Sequence, residues 1–155
     1  MRYCYYYRTI IGLICIVEYN SKISNICFEN KLVDEDIDVV ETPIIRECYE
    51  QLDQYFKGDR KLFNVPIELS GTDFQKRVYN QLLNIPYGST ASYQEIAIKL
   101  DIPKAARAVG GANNKNPIPM IVPCHRVIGK NGSLTGFAGG LEIKEKLLKL
   151  EKNKG

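Results

Sequence analysis

At 155 residues, of which 45% are hydrophobic, the chain is long enough to bury a core, as one domain or as two small ones sharing an interface. A formal net charge of +3 falls short of the basic balance that by itself announces nucleic acid, so charge permits DNA binding without arguing for it. No run of about 18 apolar residues exists, and the nearest, Thr9 to Val17, follows tyrosines instead of a positive n-region, so neither a membrane span nor a signal peptide is expected and a cytoplasmic location, nuclear in a eukaryote, is the default.

Residues 1 to 33 read as strands, because Met1 to Arg8 and Thr9 to Tyr19 are rich in β-branched and aromatic residues and Asn20-Ser21-Lys22 punctuates them before Ile23 to Phe28. A small antiparallel sheet follows. From Thr42 to Lys57, Ile45, Cys48, Leu52 and Phe56 recur at three- and four-residue intervals behind Thr42-Pro43, which predicts an amphipathic helix packed on that sheet. Gly58-Asp59-Arg60-Lys61, Pro66 and Gly71 interrupt the periodicity and divide the chain into residues 1–66 and 67–155.

Beyond this boundary the pattern turns helical. Thr72 to Asn84 places Phe74, Val78, Leu82 and Leu83 on one side, and Ile85-Pro86-Tyr87-Gly88 stops it. Ser92 caps a second helix running through Ile98, with Glu95 at the capping-box position, and a third spans Lys104 to Asn114 after the Asp101-Ile102-Pro103 turn. Two short helices around a tight turn form a helix-turn-helix candidate. Then come a β-rich run broken by prolines (Ile118 to Ile128), a glycine-rich loop (Gly129 to Gly140) and a closing helix (Leu141 to Glu151) with Ile143, Leu147 and Leu150 inward. That order suits a winged helix-turn-helix, and the whole an α/β (α+β) protein.

Cysteines at 4, 15, 27, 48 and 124 form no Cys-x-x-Cys pair, and an odd count leaves at least one thiol free. With a single histidine no Cys/His zinc site is expected, nor any other metal. The first four cysteines read as reduced and structural. The fifth is different: Ile121-Val122-Pro123-Cys124-His125-Arg126-Val127 sets a thiol beside the only imidazole and a guanidinium, groups that stabilise a nucleophilic thiolate. In thiol hydrolases nucleophile and base come from distant parts of the chain. Adjacent side chains diverge, so a water bridging Cys124 and His125 is the easier geometry, which weighs against a protease. Gly110-Gly111 is the other unusual feature. Each glycine costs a helix about 1 kcal/mol relative to alanine, so close approach is implied, either to another helix or to a docked surface.

The motif Pro123-Cys124-His125-Arg126-Val127 resembles the active-site signature of the O6-alkylguanine-DNA alkyltransferase family. Further blocks match in order: Gly71-Thr72-Asp73-Phe74-Gln75, Ile85-Pro86-Tyr87-Gly88, Ser92-Tyr93-Gln94-Glu95-Ile96-Ala97, and Lys104 to Ala112 leading into Asn116-Pro117. The resemblance covers residues 67 to 151 and implies a ribonuclease-H-like N-terminal subdomain and a winged-helix alkyltransferase domain. It implies direct-reversal DNA repair: irreversible, single-turnover transfer of the alkyl group of O6-alkylguanine, with O4-alkylthymine a candidate, to the protein's own cysteine.

By the same resemblance Cys124 is the nucleophile, His125 the base through a water, and Glu151 its orienting carboxylate. Tyr93 presses on the flanking phosphate and protonates N3 of the leaving base. Asn116 organises the turn before the active-site strand. Arg107 inserts into the base stack, while Ser92, Ala106, Gly110 and Gly111 belong to the helix-turn-helix face that enters the minor groove. The Val127 carbonyl meets the guanine exocyclic amine, the Ala138 amide meets O6, and Gly139 lies in the loop over the pocket. No cofactor is implied, the partner is double-stranded DNA carrying O6-alkylguanine with no membrane, and a monomer is expected. Two rivals are an alkyltransferase-like damage binder, which would lack the acceptor Cys124, and a transcription regulator, which would prefer one DNA sequence over a lesion.

Overall fold

The β-branched and aromatic stretch at the start becomes three antiparallel strands, β1 (Arg2–Thr9), β2 (Gly12–Tyr19) and β3 (Lys22–Phe28), in the computed structural model, which describes residues 1–31 and 36–154. The expected strand-rich stretch ends at residues 32–33, outside the described residues. The β2–β3 reversal uses Asn20 and Ser21, both at positive φ (52° and 63°), the backbone hand that matches strand twist in a two-residue hairpin. An unexpected two-residue strand, β4 (Asp38–Val39), runs parallel to β1 and gives the order β3-β2-β1-β4.

Helix α1 (Pro43–Phe56) starts as expected, with the Thr42 hydroxyl accepting from the Ile45 amide and Pro43 where no N–H is needed. Its anticipated face, Ile45, Cys48, Leu52 and Phe56, is buried, and Tyr49 stacks on Tyr7 of β1 at 4.0 Å. The chain divides into two compact units, Met1–Leu69 and Ser70–Gly155. Residues 67–69 therefore run with the first unit instead of opening the second. The reason is pairing: the Ile23 amide donates to the Pro66 carbonyl and the Glu68 amide to the Ile23 carbonyl, each at 2.9 Å.

In the second unit, α2 (Asp73–Leu82) is opened by a Thr72/Gln75 capping box and α3 (Tyr93–Lys99) by the expected Ser92/Glu95 box. Leu83 falls past the end of α2 and is 43% exposed, and Tyr79 takes the buried place expected of it. Helix α4 (Ala106–Asn114) follows a turn in which Asp101 adopts φ 60°, completing the helix-turn-helix with α3. Of the β-rich run at 118–128, only β6 (Val127–Ile128) is a strand, paired in parallel with β5 (Ala91–Ser92). Pro119 and Pro123 have no amide hydrogen to donate, so the run cannot continue a ladder. It contains instead a 3-10 turn at Cys124–Arg126.

The closing helix α5 (Leu141–Lys154) is rotated from its expected setting. Ile143 and Leu150 are only half-buried, and the buried stripe is Lys144, Leu147 and Glu151. Two charged residues thus point inward, and the apolar count alone misplaces the face. Among the described residues no helix is long and apolar enough to cross a membrane.

Candidate active site

The 3-10 turn carries the thiol into the interior of the second unit, leaving Cys124 2% exposed. Asn116 builds the turn in front of it: its Nδ2 donates to the Val122 carbonyl at 2.7 Å and its Oδ1 accepts from the Ile118 amide at 3.0 Å. Asn113, on α4, donates to the Cys124 carbonyl at 3.3 Å, so the second helix of the helix-turn-helix touches the nucleophile's own backbone. Burial pushes the Cys124 thiol up to about 11, and the Asn116 amide, the Lys144 charge and nearby backbone N–H groups pull against it.

His125 and Glu151 meet at 2.6 Å, Nε2 to Oε2, both almost wholly buried. Arg126 grips the same carboxylate through Nε (2.8 Å) and Nη2 (3.0 Å), and the Gly88 amide donates to Oε1 at 3.2 Å. Its Nη1 donates to the Ile85 carbonyl at 2.8 Å, and the guanidinium lies 5.7 Å from the Tyr87 ring centroid. A carboxylate held by a guanidinium accepts but does not donate, so Nε2 carries the imidazole proton and Nδ1 is the basic nitrogen. Burial lowers the His125 pKa and outweighs the raising effect of Glu151, so the ring is neutral and able to take a proton.

Lys144, fully buried, donates from Nζ to the Val127 carbonyl at 2.6 Å and to the Thr135 carbonyl at 3.0 Å. Burial brings its pKa down to about 8, against the raising influence of Cys124. The Thr135 hydroxyl lies 2.6 Å from the Tyr93 hydroxyl, tying the loop before α5 to the start of α3. Among the described residues no group of three or more His, Cys, Asp or Glu side chains is arranged to hold a metal ion.

Both halves of the chain match family models. Residues 2–69 match the 6-O-methylguanine DNA methyltransferase, ribonuclease-like domain, and residues 73–153 match the 6-O-methylguanine DNA methyltransferase, DNA binding domain. The chain belongs to the 6-O-methylguanine DNA methyltransferase family. The methylated-DNA–protein-cysteine methyltransferase of Methanosarcina mazei is 52% identical over 136 residues, 88% of this chain and 79% of that protein. The inducible enzyme of that name from Bacillus subtilis is 46% identical over 154 residues, 96% of this chain and 83% of that one. The crystal structure of Mycobacterium tuberculosis OGT in complex with DNA superposes with a TM-score of 0.92 at 42% identity, covering 99% of this chain and 94% of that one.

Measured against the residues expected from the family motif, the second unit buries Cys124, His125, Glu151, Asn116 and Val127, pairs His125 with Glu151, sets Asn116 on the Val122 carbonyl, and ties Tyr93 to the Val127 carbonyl through Thr135 and Lys144. Ala138 and Gly139 are half-buried in the loop. Ser92 caps α3 and Ala106 opens α4. Arg107 is exposed on α4, and its side chain makes no hydrogen bond or ion pair with any described residue. A Cβ added at Gly111 would meet nothing within 4 Å, and one at Gly110 would make an ordinary 3.7 Å contact with the Tyr93 ring. Packing within the chain therefore requires neither glycine.

Four participants escaped the motif reading: Arg126, Asn113, Thr135 and Lys144. Arg126 was in view inside the motif as a cation for the Cys124 thiolate, and the structure turns its guanidinium onto Glu151 and the Ile85 carbonyl instead. Lys144 had a signal in its spacing, since it stands seven residues before Glu151, two helical turns on the same face. Thr135 and Asn113 look like ordinary loop and helix-end polar residues, and nothing local marks them.

Proposed function

We propose that this protein repairs alkylated DNA by moving the alkyl group of O6-alkylguanine onto Cys124, once per molecule and irreversibly. The observation that carries this reading is a buried thiol adjacent in sequence to a neutral imidazole that a buried, arginine-held carboxylate orients. The thiol proton passes through a bridging water to His125 Nδ1 and charges the imidazole, which Glu151 stabilises. The thiolate then attacks the sp³ carbon on O6. The sulfur–carbon bond forms as the carbon–oxygen bond breaks, the electron pair stays with the guanine, and Tyr93 gives a proton to N3. The Val127 carbonyl, with a second lone pair beside the Lys144 bond, receives the guanine exocyclic amine, and the Ala138 amide faces O6.

A stacked guanine cannot reach a thiol that is 2% exposed, so the nucleotide must leave the duplex. Arg107 is suited to fill the gap. The two glycines of α4, unneeded by internal packing, suit a helix that presses its backbone against DNA, with Ser92 and Ala106 on the same helix-turn-helix.

The deciding experiment is intact-mass and peptide analysis after incubation with a duplex containing O6-methylguanine. One added methyl per protein, on the Cys124 peptide, is expected. Arg107→Ala should slow repair of the duplex about tenfold or more while changing reaction with free O6-benzylguanine little, because the free base needs no extrusion. Equal losses on both substrates would remove the extrusion role.

A further inference from the structure

Thr135 is fixed at two points. Its carbonyl accepts from the buried Lys144 ammonium at 3.0 Å, and its hydroxyl lies 2.6 Å from the Tyr93 hydroxyl. Lys144 also holds the Val127 carbonyl, so one ammonium sets the distance between the active-site strand and the segment bearing Thr135. None of the roles assigned above uses this hydroxyl, yet it is the partner of the phenol that must give up a proton during the reaction.

A phenol is a stronger acid than an aliphatic alcohol, so in the resting pair Tyr93 donates and Thr135 accepts. When the phenol proton moves to N3, the phenolic oxygen becomes a charged acceptor with no proton of its own. Thr135 answers by rotation about a single bond, and an O–H donor to an oxyanion is about twice as strong as a neutral pair. The contact therefore strengthens between ground state and transition state, which is the condition for accelerating a step.

We propose that Thr135 is a positioning residue for Tyr93, its hydroxyl accepting from the phenol in the resting site and turning to donate to the phenolate oxygen as Tyr93 protonates the leaving base, while Lys144 anchors the Thr135 backbone. The inference rests on the alkyl-transfer reading and on the place given there to Tyr93. The bookkeeping closes: the pair from the broken carbon–oxygen bond stays on guanine, the Tyr93 proton goes to N3, and water returns a proton to the phenolate after the base has left.

The test is single-turnover transfer from two duplexes, one with O6-methylguanine and one with its 3-deaza analogue, in which a C–H replaces N3. Thr135→Val should slow transfer from the natural lesion about tenfold, and Thr135→Ser should restore it to within about twofold. On the 3-deaza duplex, where no proton is taken, Thr135→Val and the unaltered protein should react alike. In a Tyr93→Phe background the added Thr135→Val change should cost nothing further. Equal losses on both duplexes, an undiminished loss in the Tyr93→Phe background, or no loss at all would each overturn the assignment. Failure of the unaltered protein to place a methyl on Cys124 would instead bring down the transferase reading, and this inference with it.

Discussion

Cys48 in the first unit and Cys124 in the second are buried alike, 0% and 2% exposed, and burial raises both thiols, Cys48 to about 12 and Cys124 to about 11. What surrounds them differs. Beside burial, Glu47 raises Cys48 further, and Cys15 and Cys27 are likewise raised chiefly by burial. At Cys124 an amide, an ammonium and backbone N–H groups all oppose the rise, and a neutral imidazole follows in sequence. Burial alone therefore does not distinguish a structural thiol from a reactive one. The polar groups around it do, because they favour the charged form that burial resists.

The largest effect should come from exchanging the roles of the two groups of thiols. Cys124→Ser should abolish alkyl transfer while leaving affinity for lesion DNA within a few-fold, since a hydroxyl is nearly the same size but a far weaker nucleophile at neutral pH. Joint replacement of Cys4, Cys15, Cys27 and Cys48 should lower stability and still leave the folded fraction accepting one alkyl group per molecule. Transfer by the first variant, measured by mass, would end the assignment of Cys124.

Next in size is Glu151→Gln. Among the described residues Glu151 is the only carboxylate on the buried Arg126 guanidinium, and breaking such a pair from one side costs about 3–5 kcal/mol because a charge is left uncompensated. The variant should melt well below the unaltered protein. Its folded fraction should also transfer methyl about 100-fold more slowly, since His125 loses the anion that stabilises its protonated form. A variant that is destabilised yet fully fast once folded would make Glu151 a purely structural residue and blur the contrast with the first unit.

Much of this contrast could be read from the chain before any coordinates. The Pro-Cys-His-Arg-Val motif and the ordered blocks placed Cys124, His125, Asn116 and Glu151, and both the Ser92 cap and the face of α1 follow from residue chemistry within a few positions of one another. What escaped was non-local or contrary to pattern. Lys144 was passed over because periodicity counts apolar residues, and a buried lysine is recognisable only from the carbonyls it bonds, Val127 and Thr135, which lie 17 and 9 residues away. The Arg126 bonds to Glu151 and Ile85 span 25 and 41 residues. The prolines of 117–123 gave fair warning that no long strand would form there, yet the β-branched residues around them pointed the other way.

A smaller effect isolates the cation near Cys124. Lys144→Met keeps most of the side-chain length and removes the charge, and should slow alkylation of Cys124 by iodoacetamide at pH 7, where Lys144 is still largely protonated, by about tenfold, because a nearby opposite charge shifts a pKa by about one unit or more. The four thiols of the first unit should be unaffected. A uniform change at all five, read by peptide mapping, would point to general loosening instead of a local field.

The smallest effect is also the most specific, and it lies in how stability changes with pH. In the folded protein Lys144 titrates near 8 instead of its usual 10.5, so between those values the unfolded chain holds a proton that the folded one has released. Unfolding free energy must then rise with pH across that interval. Cys124 acts in the opposite sense: folded it keeps its proton to about 11 and unfolded it loses it near 9, so its contribution to stability falls from pH 9 to 11. Lys144 alone acts between pH 8 and 9, and above 9 the two oppose each other. In urea titrations the difference between the unaltered protein and Lys144→Met, from which the shared Cys124 contribution cancels, should therefore grow by about 1 kcal/mol from pH 8 to 9 and go on growing to about pH 10.5. Cys124→Ser removes the opposing group, so its own stability should continue to rise to about pH 10.5, whereas that of the unaltered protein should level off above pH 9. Parallel curves for the unaltered protein and Lys144→Met would mean that the ammonium loses no more of its hydration on folding than an exposed lysine does, and the charge would then offer Cys124 nothing that Cys48 lacks.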